Sequence, residues 1–421
     1  MKKFNYGKIF LLGFGFFGVS VIWTIYNAFV PLFLANKFGL APAWIGFFMT
    51  LDNIAALFIQ PPVGAWSDRL RTPIGRRMPF ILIGAPVGAL AFGIIPLAAV
   101  LPVFVACTST LLLSMAFWRT PVVALMPDIT PSKYRSQANG IINLMGGLGT
   151  IIASLVGSTL YEINVNFPFW MGSVLTILAA LLVFIFIKEP KQYEETEKQP
   201  SMFASLKELI KDQDKSGLRI LLAIFFWFLT YQGIESFLTL YATKHLGIPE
   251  GDAGRMSGHM GIFFVLFAIL AGILGSRIGR RKTISIGIVG MALLIFLIAV
   301  LPVDFLTTEL IKLPALGMIR VVNLFLMAAG ITWSFININS LPMVVDLTTA
   351  SRIGTFTGLY YLFSTLAAIV GPNLNGLIVQ LSGNNYGMVM VVGPIFLVIA
   401  LILMMGVKRG EATVEDNILQ P

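Results

Sequence analysis

Four ionisable side chains lie inside long apolar runs of this sequence, where an unpaired charge is costly. They are Asp52, Arg119, Glu235 and His259. A carboxyl group in such surroundings can load and release a proton, so Asp52 and Glu235 are the candidate proton-binding residues. Asp52 with Asn53 could instead hold a hard cation through oxygen ligands, or be a structural acid bound to a neighbouring helix. We expect Arg119 to bind ligand hydroxyls or balance an acid, and His259 to be a satisfied interfacial histidine.

Aromatic and amide side chains in several runs share single helix faces, a composition suited to a mostly apolar pocket for a hydroxylated ligand. Together with the ionisable groups, the candidate binding residues are Trp23, Tyr26, Asn27, Arg119, Tyr231, Gln232, Glu235, Trp333, Asn337 and Tyr361. Any one of these aromatics could equally pack between helices. The amides are more informative, because an Asn inside an apolar run must find a partner. Asn337 and Asn339 cannot both face one pocket, and we favour Asn337.

The elements that must position these side chains are membrane helices. The chain has 421 residues, 57% of them hydrophobic and 12% charged, with a mean hydropathy of +0.86. A soluble domain carries roughly 25% charged residues, and a helix that crosses a bilayer needs about 20 apolar residues. Twelve such runs occur, at about 9–34, 42–66, 79–99, 103–126, 137–161, 168–187, 217–242, 255–276, 283–302, 316–344, 353–380 and 386–406. The sequence therefore predicts an all-α integral membrane protein with twelve transmembrane helices.

The basic residues follow alternate loops, and this asymmetry predicts that both termini are cytoplasmic. The first apolar run follows Lys2, Lys3 and Lys8. It is longer than a signal-peptide core, so we interpret it as a transmembrane helix. The pattern predicts a multi-pass protein of the cell membrane, plasma or inner. Although the net charge is +9, the cations do not share one face, which argues against nucleic-acid binding. The expected partners are the lipid bilayer and a small molecule, and we expect a monomer.

Two similar halves are visible as a repeat. The dense polar stretch 64–80 has four Arg within nine residues, and a weaker copy follows at 272–282. Asp-Ile-Thr at 128–130 has its counterpart in Asp-Leu-Thr at 346–348. The copy has Ser276 where the first stretch has an Asp. The repeat predicts two pseudo-symmetric six-helix bundles in the same orientation, with a binding site near the midplane between them.

The longest polar segment separates these halves and sets the predicted domain boundaries. We expect an N-terminal bundle at 1–187, a cytoplasmic linker at 188–216, a C-terminal bundle at 217–410 and a cytoplasmic tail at 411–421. Apolar residues recur at helical spacing between 203 and 210. They predict a short helix on the membrane surface, although a solvated charged linker fits the same residues.

The polar stretch also carries a recognisable motif, Gly-x-x-x-Asp-Arg followed by Gly-Arg-Arg, after the second run. With twelve runs in two halves, it resembles the major facilitator superfamily of secondary transporters over the whole chain. The resemblance implies gating residues at the cytoplasmic ends of the helices, namely Gly64, Asp68, Arg69, Gly75, Arg76, Arg77, Asp128 and Arg135. Asp68 is expected to meet a helix N-terminus or an Arg such as Arg135, and to latch the outward-open state.

Two details narrow the resemblance. The stretched loop that ends in Arg76-Arg77-Met-Pro-Phe, and Pro121-x-x-Ala-Leu-x-x-Asp128-Ile followed by Arg135 and Ala-Asn, are similar to sucrose–proton symporters. Their bacterial relatives lie near the glycoside–pentoside–hexuronide cation symporters. The resemblance implies uptake of a sugar, a mono- or disaccharide glycoside, by alternating access, coupled to a proton or to Na⁺ and without any cofactor.

Several classes of protein are disfavoured by missing motifs. The sequence has no Gly-rich phosphate loop of an ATP-driven pump, no metal-ligand spacing and no nucleophile–His–acid set, so we expect no enzyme. Two rivals remain: a multidrug–proton antiporter of the same fold, and a non-transporting sensor. The first would need a larger apolar pocket, and the second usually carries a sizeable soluble domain.

Overall fold

The computed structural model describes residues 6–130, 134–189, 202–211, 213–314, 316–348 and 352–409. Within them, twelve helices are long and apolar enough to cross a membrane, which confirms the predicted twelve. The first half contains α1 Tyr6–Leu32, α2 Pro42–Phe48, α3 Leu51–Arg69, α4 Met78–Ile94, α5 Leu101–Ile129, α6 Arg135–Ile163 and α7 Phe167–Phe186. After α8 Met202–Lys211, the second half contains α9 Ser216–Leu240, α10 Glu250–Ile278, α11 Arg280–Val300, α12 Val303–Leu306, α13 Val321–Val345, α14 Ile353–Leu381 and α15 Met388–Met405.

Two bundles with separate apolar cores form the molecule, one built mainly by α1–α7 and the other by α9–α15. The two halves also share unusual backbone conformations. A π-helical turn ends the first helix of each half, at Phe33–Lys37 and Tyr241–His245. Left-handed glycines then follow at matching places, Gly39 with φ +63° and Gly247 with φ +67°. Because such turns rarely arise by chance, they support the predicted pseudo-symmetry.

The second predicted run, 42–66, is not one continuous helix. Its helices α2 and α3 meet at a break over Met49 and Thr50, where the Thr50 hydroxyl donates a hydrogen bond of 2.7 Å to the Phe47 carbonyl. The helix α3 therefore starts anew at Leu51, and Asp52 lies in its first turn. A carboxylate in the first turn of a helix is stabilised by the free N–H groups there.

A β-hairpin precedes α13, where the sequence predicted that a helix would begin near 316. Strands β1 Glu309–Leu313 and β2 Gly317–Arg320 pair antiparallel, as the one sheet in the described ranges. Gly317 has φ +74°, which L-residues rarely adopt. The side chain of Asn323 then caps α13 by accepting the Arg320 N–H at 2.8 Å. The prediction was wrong here because these local contacts end the hairpin and start the helix at Val321.

The two bundles are held together at one end of the molecule. We call the end that carries the loop 70–77 and the junction of α10 with α11 at 278–282 the basic end, and the other the opposite end. At the opposite end, a Cβ on Gly46 would lie 2.3 Å from the Pro372 carbonyl oxygen, and one on Gly376 would lie 2.4 Å from that of Pro42. Only glycine permits such close approach of backbones. The bundles are therefore closed against each other at the opposite end.

Candidate functional site

A polar cluster joins the two bundles halfway along the helices. Asp52 at the start of α3 is within electrostatic reach of Arg119 on α5 and of Glu235 on α9. Glu235 interacts with the amide of Asn27 on α1. Arg119 is in turn within electrostatic reach of Tyr361 on α14. The two acids and the guanidinium that the sequence singled out thus share one site, with members from both bundles.

The cluster lines a space that is open to solvent between the bundles. Arg119 is exposed, and Asp52, Asn27 and Glu235 are half-buried. The Tyr361 side chain is 56% exposed. Since Arg119 is close to Asp52 in its own bundle and to Tyr361 in the other, it faces the interface rather than lipid. With the opposite end closed, this space opens towards the basic end.

Aromatic groups complete the walls of the site. The rings of Tyr231 and Trp333 stack at 4.2 Å with an interplanar angle of 8°, and Trp23 meets Tyr26 edge to face at 5.7 Å. The indole Nε1 of Trp23 and the hydroxyl of Tyr26 are buried, and neither has a hydrogen-bond partner in the described structure. Buried donors are nearly always satisfied, so we expect a bound water molecule, or a ligand that displaces it, to pair with these two groups.

A small pocket lies beside Asp52 and was not predicted as a unit. Its volume is about 20 Å³, which is room for about one water molecule. Its walls are Trp23, Asp52, Asn53, Ala56, Gln60, Leu112, Met115, Ala116 and Arg119. The Asn53 amide donates a hydrogen bond of 2.8 Å to the Asp52 carboxylate. The sequence analysis gave Gln60 no role, although an amide inside a run is the signal that marked the other Asn and Gln residues.

Other predicted residues lie at the edge of the site or away from it. Gln232 is half-buried on α9, and Asn337 is half-buried one turn after Trp333. Asn339 is buried instead in the contact with α10, where it donates to the Ala271 carbonyl at 3.1 Å. His259 is held between the Leu316 carbonyl at 2.9 Å and the Asn323 amide at 3.0 Å. It is the satisfied histidine that the sequence analysis expected.

The predicted gating residues form an ion-pair network inside the N-terminal bundle. The guanidinium of Arg77, only 4% exposed, donates to Asp68, to the Ser67 hydroxyl and to Asp128. Arg76 pairs with the same Asp128 at 2.7 Å. The network joins the basic ends of α3, α4 and α5. Asp68 thus pairs with Arg77 of its own bundle, whereas the side chain of Arg135 lies outside the described residues.

The Glu189 carboxylate is a member of this network that the sequence analysis missed. It accepts the backbone N–H groups of Arg76, Arg77 and Met78, each at 2.9 Å, and so caps the start of α4. A Cβ on Gly75, which has φ +118°, would lie 2.4 Å from this carboxylate. Only glycine fits this position. The Lys-Glu-Pro sequence after α7 looked like the start of a linker, so nothing in its pattern indicated a capping role.

The two remaining gating candidates, Gly64 and Arg69, are not members of this network. A Cβ on Gly64 would approach Thr120 of α5 at 3.4 Å, which is ordinary contact. Arg69 is exposed at the end of α3.

The second half repeats part of this network. Arg280 pairs with Asp346, as Arg76 does with Asp128. Gly279, with φ +94°, occupies the place of Gly75. Ser276 stands where the first half has Asp68, and its hydroxyl donates to the Ile273 carbonyl of its own helix. The network is therefore weaker in the second half.

A further ion-pair network crosses the interface at the opposite end. Arg255 on α10, 4% exposed, donates to both carboxylate oxygens of Glu162 on α6, at 2.5 and 2.9 Å. It also pairs with Asp252 at 2.9 Å. The hydroxyl of Tyr161 donates to Glu250 at 2.7 Å. These contacts tie α6 to α10 and hold the opposite end closed.

Comparison with known proteins identifies the family. The sequence profile of the Major Facilitator Superfamily matches residues 12–307 and 242–418, so the chain belongs to this superfamily. It is a membrane transporter rather than an enzyme. A bacterial homologue of the human lysosomal transporter Spinster, solved in an inward-facing and occupied conformation, superposes with a TM-score of 0.74 at 15% identity, covering 96% of this chain and 97% of that chain.

Characterised relatives differ in what they carry. Multidrug resistance protein 2 of Bacillus subtilis is 23% identical over 387 residues, 90% of each chain. The general alpha-glucoside permease of Schizosaccharomyces pombe is 24% identical over 291 residues, 60% of this chain and 52% of the permease. Sequence similarity therefore establishes the superfamily and leaves the substrate to the chemistry of the site.

Proposed function

We propose that this protein takes up a sugar, a mono- or disaccharide glycoside such as sucrose or maltose, by proton symport. The observation that carries the proposal is the polar cluster between the bundles. It combines two carboxylates, Asp52 and Glu235, with the guanidinium of Arg119 and with the unpartnered donors of Trp23 and Tyr26. A hydroxylated solute can satisfy all of these groups.

The walls of the cluster suit a sugar ring. Sugars present hydroxyls at their edges and C–H groups on their faces, and they bind where amides meet flat aromatic surfaces. Half-buried Tyr231, stacked on the buried Trp333, would offer such a surface in one bundle, and half-buried Trp23 would offer another across the interface. Gln232 and Asn337, both half-buried, are the amides that would bind the hydroxyls. The glycoside resemblance of the loop motifs and the alpha-glucoside permease among the relatives support the same substrate class.

The position of the two acids supports coupling to protons. Glu235 interacts with Asn27 across the bundle interface and is within reach of Asp52. Because the two carboxylates are close, they repel each other when both are charged. A proton on either one relieves this repulsion and favours the form in which the two bundles close around the site. Release of the proton on the cytoplasmic side then resets the carrier. A Na⁺ ion beside Asp52, Asn53 and Gln60 is the variant that the same oxygen atoms allow.

Transport by this proposal uses alternating access. The opposite end, closed by α6 with α10 and by α2 with α14, would face outwards, and the basic end would face the cytoplasm with both termini. The carrier would work as a monomer in the cell membrane, because each chain contains a complete site between its own bundles.

A second candidate is a multidrug–proton antiporter. The observation in its favour is the Bacillus multidrug resistance protein, which matches 90% of both chains. Such a carrier would move hydrophobic amines out in exchange for protons, with the same acids as proton sites.

Uptake into proteoliposomes tests the two candidates together. The purified protein is reconstituted, and the entry of radiolabelled sucrose, maltose and glucose is measured by counterflow, under an inward proton gradient and under an inward Na⁺ gradient, with ethidium as the drug probe. The proposal predicts that at least one sugar accumulates under the proton gradient and alkalinises the outer medium. Sugar entry that stops at equilibrium under both the proton and the Na⁺ gradient would reject the coupling, and proton-dependent ethidium movement with no sugar counterflow would favour the antiporter.

A further inference from the structure

A cleft at the basic end of the second bundle lies far from the central cluster. It has a volume of about 580 Å³ and is formed by the end of α10, the start of α11 and the residues after α15. Four of its lining residues are cations, and the others are one serine and two isoleucines: Arg281, Lys282, Lys408, Arg409, Ser285, Ile278 and Ile286.

The positive charge in this cleft is only partly balanced. Arg409 pairs with Asp214 at 2.8 Å, and the guanidinium of Arg281 donates to the Met405 carbonyl at 2.8 Å. Among the residues described, Arg281, Lys282 and Lys408 have no carboxylate at ion-pair distance. Within the described residues, four cations face one carboxylate, which leaves an excess of positive charge at the mouth of the cleft.

The repeat shows how this surplus arises. In the first half, Arg77 is neutralised by Asp68 and Asp128. Its counterpart in the second half is Arg281, and Ser276 stands in the place of Asp68. Three consecutive cations also begin α11, although the N-terminus of a helix favours anions. An anionic ligand would compensate for the missing carboxylate and for the cations at the start of α11.

Hydrogen bonds hold one wall of the cleft in place. The Ser216 hydroxyl accepts the backbone N–H of Lys408 at 2.8 Å and donates to Asp214 at 2.7 Å. The hydrogen bonds that the Ser216 hydroxyl and the Ser216 backbone N–H donate to Asp214 lower the pKa of that carboxyl group, which pairs with Arg409. The segment after α15 is thereby fixed to the start of α9, and its cations face a defined space.

The remaining walls are apolar and lead towards the membrane. Ile278 is 38% exposed and Ile286 is 50% exposed. From Ile286 an exposed apolar stripe continues along α11 at helical spacing, through Val289, Leu293, Phe296 and Val300. A surface of this kind in a membrane-spanning helix accommodates acyl chains. The cleft therefore places its cations at the end of an exposed apolar stripe.

We propose that this cleft is a binding site for the headgroup of an anionic glycerophospholipid. Lys282, Lys408 and Arg281 bind the phosphate, and the acyl chains follow the stripe on α11. The Ser285 hydroxyl, which donates to the Arg281 carbonyl at 2.8 Å in the unliganded protein, would turn from it to donate to the phosphate. Free inorganic phosphate could bind the same cations, but it has no apolar group that would contact the two isoleucines or the apolar stripe. Basic pockets at helix ends are a recurrent type of site for such lipids.

Native mass spectrometry of the full chain in detergent tests the proposal, with cardiolipin, phosphatidylcholine and inorganic phosphate as probes. We expect the intact protein to retain cardiolipin in preference to phosphatidylcholine. The double variant Lys282→Gln/Lys408→Gln should bind cardiolipin about 30-fold more weakly, since each cation near a membrane surface contributes a factor of about five. Lys207→Gln/Lys211→Gln is the matched control, because it removes two exposed lysines from α8, and it should stay within about twofold of the wild type.

The charge-retaining variant Lys282→Arg/Lys408→Arg guards against a folding defect, and it should restore binding. Equal losses in both Gln variants would overturn the proposal in favour of general surface attraction. Unchanged cardiolipin binding in Lys282→Gln/Lys408→Gln would overturn it directly. Displacement of cardiolipin by millimolar inorganic phosphate would assign the cleft to a free phosphate instead.

Discussion

The hydroxyl of Tyr26 is buried at the central cluster with no hydrogen-bond partner in the described structure. We predict that Tyr26→Phe leaves the thermal stability of the unliganded protein unchanged, because it removes no intramolecular bond. It should raise the KM for the transported sugar about five- to tenfold, the effect of one lost hydrogen bond. The measurement is counterflow in proteoliposomes together with a thermal melt.

Tyr241→Phe is the matched control for this prediction. The Tyr241 hydroxyl is also buried and unpartnered, but it lies in the π-helical turn at the end of α9. Its removal should leave the KM at the wild-type value. An equal KM in the two variants would mean that the Tyr26 hydroxyl does not contact the sugar.

Residue types and spacing predicted much of the central site. The candidates Asp52, Arg119 and Glu235 were found as charges inside apolar runs, and the structure brings them together. Helical rise alone gave no reason to pair Arg119 with Asp52, because counting along a straight helix sets them roughly 10 Å apart in depth. That count takes both helices as straight, whereas Pro61 and Pro62 lie inside α3 and Pro121 lies inside α5, and a proline inside a helix kinks it.

At the scale of the elements, close glycine contacts close the opposite end. A Cβ on Gly376 of α14 would lie 2.4 Å from the Pro42 carbonyl oxygen of α2. Gly376→Ala should therefore separate the two helices and favour the form that is open at this end. Overpacking of this kind costs about 1–3 kcal/mol, which shifts the ratio of the two forms about fivefold or more.

Pulsed electron paramagnetic resonance measures this shift. Nitroxide labels at Lys37 and Lys244, in a Cys107→Ser background, report the distance between the bundles at the opposite end. Gly376→Ala should increase the long-distance population. Gly140→Ala, where a Cβ would meet nothing within 4 Å, should match the wild type. Identical distributions in all three proteins would show that the α2–α14 contact does not control closure.

The ion pair of Glu162 and Arg255 ties α6 to α10 at the same end. Glu162→Gln should weaken a charged hydrogen bond worth about 1.5–3 kcal/mol, and so raise amide hydrogen exchange over residues 250–256 about tenfold. Glu309→Gln is matched to it, since Glu309 is similarly exposed and also pairs with a buried Arg, but within one bundle. Equal exchange in the two variants would contradict a role of Glu162 in closure.

The elements themselves differ in how far the sequence determines them. Twelve long apolar runs predict twelve membrane helices, because the backbone N–H and C=O groups must form their hydrogen bonds within the segment when lipid surrounds it. The hairpin at 309–320 was missed, since its strands are short and depend on the contacts of Arg320 with Asp252 and Glu309. These partners are distant in sequence or belong to another element, so no local pattern indicates them.

At the scale of the whole molecule, the account predicts that Asp68 controls switching and not sugar affinity. Asp68 is 55% exposed and pairs with Arg77 at the basic end. An exposed ion pair contributes about 1 kcal/mol or less, so Asp68→Asn should change the exchange rate by up to about fivefold with the KM unchanged. Ser276→Ala, at the matching position of the second half, should have a smaller effect. Equilibrium exchange in proteoliposomes gives both values, and an unaltered rate in Asp68→Asn would refute the prediction.

The most direct test of the account compares uphill and downhill transport in the same vesicles. The wild-type protein should accumulate the sugar under an inward proton gradient and should also catalyse counterflow without one. Asp52→Asn and Glu235→Gln keep the shape of the site but cannot carry the proton. We predict that both variants retain counterflow and that at least one of them loses accumulation against a gradient. Normal accumulation by both variants would contradict the central claim that these two carboxyl groups couple sugar uptake to protons.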